Sequence, residues 1–185
     1  MRLVFRILQF HRFSTTMSPS PLPPLRRVVT AHNAQGQSTV ASDTKLTSEI
    51  LPHGPGSVTI WSSDASPAYL GSSDDKALSG TGFINDGSIF RIVDLPPHSV
   101  GSLHRSISLD YIIVHKGSVV LTLEDGSRTR LHQGEFVVQQ ATMHGWDNET
   151  GEWARILAVM LPAEAPIVDG KELQTDLTAL YVNRN

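Results

Sequence analysis

Apolar and polar residues alternate in short runs along most of this chain, and Gly, Pro, Asn or Asp punctuate the gaps between runs. Residues 26–30 and 38–41 flank an Asn-Ala-Gln-Gly stretch at 33–36 and predict a hairpin. A short strand is expected at 58–61, followed by a Ser-, Asp-, Gly- and Ala-rich loop over 62–81. Residues 88–95 alternate and stop at Pro96-Pro97, and the next strand, 111–115, ends at Gly117. Val119, Leu121 and Leu123 share one face, Val120, Thr122 and Glu124 the other, and Asp125-Gly126 turns the chain back. On the return, Thr129 and Leu131 lie on one face, with Arg128 and Arg130 on the exposed one. Residues 135–140 and 155–161 complete the set, the latter apolar on both faces and so expected at the centre of a sheet. Only the tail has helical spacing, through Leu173, Leu177, Leu180 and Tyr181. Seven or more closely spaced strands imply an all-β sandwich or small barrel.

Length and composition narrow the picture. At 185 residues with 39% hydrophobic and 18% charged content, the chain can close one core. It has no cysteine, which excludes a disulfide scaffold, a thiol nucleophile and any thiolate metal site. The net charge of −3 is unevenly spread. Residues 1–42 hold five Arg and no acid, whereas 43–185 hold ten Lys and Arg against eighteen Asp and Glu. An acidic body disfavours nucleic acid as a partner, since phosphate contacts need clustered cations. No apolar run is long enough for a bilayer-spanning helix, so no membrane partner is expected and a small molecule is the default partner. Residues 1–16 carry three Arg with apolar residues between them. They read either as a mitochondrial targeting segment or as residues upstream of a start at Met17, and a cytoplasmic location is the expectation. Residues 18–24 read as a Pro/Ser linker, giving an extension over 1–24, a barrel over 25–163 and a tail over 164–185.

The chemistry concentrates between Pro96 and Asn148. His104 is followed six positions on by Asp110, and Asp110 seven positions on by Gly117; downstream, Gly134 precedes His144 and Asn148. The even offset from His104 to Asp110 places both side chains on one face of an unbroken strand. The frame resembles the cupin family, whose first motif is Gly, five residues, His-x-His, three or four residues, Glu, six residues, Gly. Its second motif is Gly, five residues, Pro-x-Gly, two residues, His, three residues, Asn. His104, Asp110 and Gly117 stand at first-motif positions, and Gly134, His144 and Asn148 at second-motif positions. The segments LHRSISLDYIIVHKG, GEFVVQQATMHGWDN and WARILAVML are most similar to a fungal cupin subfamily. The chain departs from the family at His98 for the first Gly, Ser106 for the second His and Asp110 for Glu. It also has no Pro-x-Gly before His144, and the spacing from Gly134 is one residue short.

The resemblance implies a single antiparallel jelly-roll barrel with an N-terminal extension and a short C-terminal helix. It also implies a cupin-type oxidoreductase of fungal secondary metabolism, acting on a small oxygenated, aromatic polyketide-like intermediate. A full cupin site gives three His and one Glu to a divalent metal; here His104, Asp110 and His144 are the metal and catalytic candidates. Two imidazoles and a carboxylate suit Fe(II) first, and Zn or Mn less selectively. The same residues could instead form a metal-free site working by acid–base chemistry in a lyase, dehydratase, isomerase or decarboxylase, or line a non-catalytic small-molecule binder. Ser106 and Trp146 are the substrate-contact candidates, Asn148 a brace for the turn after His144, and His98 a residue of the barrel mouth. No nucleotide-binding glycine motif is present. Unpaired barrel edges invite a second copy, so a homodimer is among the expectations, with residues 26–41 as the exchanged edge.

Overall fold

The computed structural model describes residues 18–50, 54–71, 74–77 and 86–181. Strands β1 (Ser18–Pro19) and β4 (Glu49–Ile50) pair at one end of a large sheet. Between them in sequence, β2 (Leu25–His32) and β3 (Ser38–Leu46) form a separate two-stranded ribbon. The large sheet continues through β5 (Gly56–Ser62), β6 (Ile89–Leu95) and β7 (Ser108–Lys116). A hairpin of β8 (Ser118–Leu123) and β9 (Arg128–His132) then precedes β10 (Phe136–Gln140), β11 (His144–Asp147) and β12 (Ala154–Pro162). The tail holds the small ribbon of β13 (Ile167–Val168) and β14 (Lys171–Glu172), then a single helical turn, α1 (Thr178–Tyr181).

Two sheets enclose the core. The large one has the order β1-β4-β5-β6-β12-β7-β10, and the small one β11-β8-β9. Strand β12 lies between β6 and β7, as its two apolar faces require. Leu95, Ile112, Val114, Val119, Trp146 and Ile156 fill the space between the sheets. Leu131 opposes Val119 and Thr129 opposes Leu121, so the faces read from the alternation of these two strands hold. The motif glycines Gly117 and Gly134 sit at φ 79° and 88°, where the chain turns between the sheets and a side chain would be strained.

Two local expectations are corrected. Residues 18–24 are not a free linker: β1 pairs with β4, Ser20 and Leu22 are buried, and the Pro23 carbonyl accepts a 2.9 Å hydrogen bond from Arg155. The tail helix is shorter than the leucine spacing suggests. Lys171 and Glu172 pair in the β13–β14 ribbon, and Asp176 exchanges two backbone hydrogen bonds with Arg105, which leaves helical geometry only from Thr178. The 33–36 turn joins β2 to β3 as expected. Residues 1–17 lie outside the described part, and with them the targeting question. No helix among the described residues is long and apolar enough to cross a membrane.

Candidate active site

The segment before β7 runs antiparallel beside β11. It is held by bridges Ser99↔Asn148 and His104↔His144. The approach is close enough that a Cβ on Gly101 would stand 2.4 Å from the Trp146 nitrogen, so glycine is required there. His104 and His144 donate to each other's carbonyls at 2.9 and 3.0 Å. Residues paired in this way project their side chains to the same face, and the two rings meet with centroids 4.3 Å apart. This pairing, across 40 residues of sequence, is what brings the two histidines together.

Facing them is a row on the large sheet. Met160, Asp110 and Gln139 are register partners across β12, β7 and β10, and all three are buried. The Gln139 amide nitrogen donates to Asp110 Oδ2 at 2.9 Å and lies 3.1 Å from His144 Nε2. Even offsets continue the polar line along the strand: Ser106 Oγ is 2.8 Å from Ser108 Oγ, and Ser108 hydrogen-bonds Asp110 in turn. A buried path therefore links Ser106, Ser108, Asp110, Gln139 and His144. Sequence reasoning missed Gln139. The signal available was its place two residues after Val137 on a strand that alternates toward the core, but its partners are set by sheet pairing.

The electrostatics favour neutral imidazoles. Each histidine places Nδ1 2.9 Å from a backbone carbonyl, Ser102 for His104 and Thr142 for His144. An Nδ1–H donated there leaves the ring lone pair on Nε2. Burial lowers the pKa of His104. For His144, burial and then the neighbouring His104 bring it down to about 4. Asp110 is raised by burial, against the opposing pull of Ser108, Gln139 and the positive Arg91. Asp110 Oδ1 and Gln139 Oε1 are both buried without a hydrogen-bond partner.

The expected sites are thus partly assembled. His104, Asp110 and His144 line one interior, but Gln139 stands between the carboxylate and His144. Among the described residues no group of three His, Asp or Glu side chains is placed to hold a metal ion. The residues present therefore do not fit the expected three-ligand cation site, because an amide NH2 points its hydrogens where a cation would take lone pairs. Ser106 is bonded to Ser108, and Trp146 is a core residue, 7% exposed, with its ring edge-on to His144 at 6.3 Å. Asn148 is the expected brace, donating to the carbonyls of Leu95 and Glu152 and accepting from the Thr150 amide and hydroxyl. His98 lines a different cleft, of about 370 Å³, in which Arg128 is already paired with Asp147 and Glu149.

A two-sheet antiparallel barrel with paired motif histidines facing inward is a cupin barrel, and the cupin domain family matches residues 91–160. Relatives refine this. The cupin-domain-containing oxidoreductase fogC of Aspergillus ruber is 31% identical over 86% of this chain and 85% of its own. The cupin-domain-containing oxidoreductase virC of Hypocrea virens is 32% identical over 82% and 84%. Phomopsin biosynthesis cluster protein D of Diaporthe leptostromiformis is 38% identical over 49% of each chain. The chain belongs to the family of fungal cupin-domain-containing oxidoreductases.

Proposed function

We propose that the chain carries out an oxidoreductase step on a small, oxygenated, largely apolar intermediate of fungal secondary metabolism, an aromatic polyketide by chemical class, with His104 as proton acceptor. The observation that carries the reading is the His104–His144 pair, buried beside Asp110 and tethered through both Nδ1 atoms. The names of the relatives support the redox class and the biosynthetic setting.

The two histidines are not equivalent. His144 Nε2 already meets the Gln139 amide, and its pKa near 4 makes it a weak base. His104 is only half-buried, neutral at neutral pH and backed by the Ser102 carbonyl, so it is the better group to take a proton from a phenol or an acidic C–H. The Asp110 carboxylate in the same interior favours the imidazolium that forms, and the apolar wall at Trp146 keeps water from the reacting side. The phenolate or enolate left behind can pass two electrons, together with the second proton, to dioxygen as external acceptor, which leaves as hydrogen peroxide; oxygen uptake reads that step. A second reading, dehydration or double-bond shift without redox, begins with the same proton transfer. It is favoured by the donor set, in which an amide rather than a third ligand faces Asp110 and His144.

The test is turnover of aromatic polyketide alcohols and aldehydes by the wild type and His104→Ala, with product mass and oxygen uptake recorded. His104→Ala should retain the fold and lose about 10²–10⁴-fold in kcat. Loss of two hydrogens identifies oxidation, and loss of water or an unchanged mass identifies the second reading. Wild-type rates in His104→Ala would remove His104 from the mechanism, and binding without turnover in both proteins would make the chain a binder.

A further inference from the structure

We propose that Gln139 is the residue that keeps this barrel's donor set closed to divalent metals. The argument starts from what its neighbours can accept. Asp110 Oδ2 is an acceptor facing Gln139. His144, with Nδ1–H spent on the Thr142 carbonyl, offers only the Nε2 lone pair. Both neighbours therefore call for a donor, and the Gln139 NH2 supplies one hydrogen to each, at 2.9 and 3.1 Å. The same orientation leaves Gln139 Oε1 buried and without a partner. An amide carries that cost only where its nitrogen is firmly required on the other side.

The consequence is chemical. The lone pairs of Asp110 Oδ2 and His144 Nε2, two of the atoms a cation would draw on, are both directed at amide hydrogens. A metal could enter only after Gln139 had left both partners, losing two buried hydrogen bonds. A carboxylate at 139 would reverse the situation. Two imidazoles and two facing carboxylates, register partners on β7 and β10, would repel one another until a cation joined them. Gln139 acts through its neighbours and is a positioning residue. The inference concerns the same side chains as the proposed proton transfer but does not depend on it, because its test reads metal uptake rather than turnover.

The experiment titrates full-length wild type and Gln139→Glu with Mn²⁺, Co²⁺ and Zn²⁺ by calorimetry, then measures metal content after dialysis. The expected result is one equivalent held by Gln139→Glu, on the order of a hundredfold more tightly than by wild type. Gln139→Leu, which removes the amide donor without adding a ligand, should also bind metal more tightly than wild type, though less tightly than Gln139→Glu. A wild type that retains one equivalent of metal and loses it in His104→Ala would overturn the proposal. So would a Gln139→Leu that binds metal no more tightly than wild type, a readout that remains should Gln139→Glu fail to fold. Either failure leaves the role of His104 to be decided by its own variant.

Discussion

Two carboxylates are buried on opposite faces of the same large sheet, and their surroundings differ. Asp94, on β6, is fully buried and takes Arg155 through both oxygens at 2.5 and 2.8 Å, while Arg155 spends a further N–H on the Pro23 carbonyl. Asp110, on β7, is almost as deeply buried, yet its hydrogen bonds come from neutral groups, Gln139 and Ser108, its Oδ1 has no partner, and its pKa is raised. The first carboxylate is saturated and ties the N-terminal segment to the sheet. The second is left short of partners, in an interior shared with two neutral imidazoles. A buried charge that is fully paired reads as architecture; one that is under-partnered beside other titratable groups reads as a reaction site.

The comparison breaks most visibly at Arg155. Arg155→Met leaves Asp94 buried without its cation and should cost about 3–5 kcal/mol in urea unfolding, while kcat per folded molecule stays at the wild-type value. A loss of kcat with unchanged stability would erase the distinction between the two faces. Next comes the pH dependence owed to His144. Its folded pKa, about 4, lies below the ordinary histidine value of 6.5. Between those values the unfolded chain binds more protons, so stability is full above pH 6.5 and falls as the pH drops toward 4, by about 3 kcal/mol in all. His144→Gln should flatten that acid-side slope in denaturation curves taken at pH 7 and pH 4.5; an equal slope in both proteins would assign the loss to other groups. The smallest effect is expected at Asp110. Because its folded pKa is raised, ionisation costs the native state stability as pH rises through that value. Asp110→Asn should therefore gain on wild type in stability as the pH rises above the ordinary carboxylate value of 3.8, and be the more stable of the two at pH 8, with turnover lost throughout. Destabilisation at pH 8 would show that the carboxylate is structural, like Asp94.

Much of the barrel was legible as pattern. The alternation of Val119, Leu121 and Leu131 reports the core face because strand side chains repeat every two residues. The even spacing from Ser108 to Asp110 likewise puts both side chains on one side of β7, but His104 lies before that strand, in the segment bridged to β11, and reaches the same interior from the facing sheet. The composition of residues 18–24 misled, because Ser and Pro carry no hydrophobic period. The segment packs for reasons outside itself, chiefly the Pro23 carbonyl offered to Arg155. The tail misled for the opposite reason: its leucine spacing is helical, but Asp176 gives its backbone to Arg105.

Local sequence alone determined the strand class of this protein, the faces of its strands and which residues could do chemistry, since these follow from the two-residue repeat and from side-chain type. Tertiary structure decided which of those residues meet. His104 touches His144 because two distant segments pair at those positions, and Gln139 enters the site because β10 lies beside β7 in a register that sets it opposite Asp110. A register is a property of two strands at once, and shifting either by one residue would turn each of these side chains away from the interior.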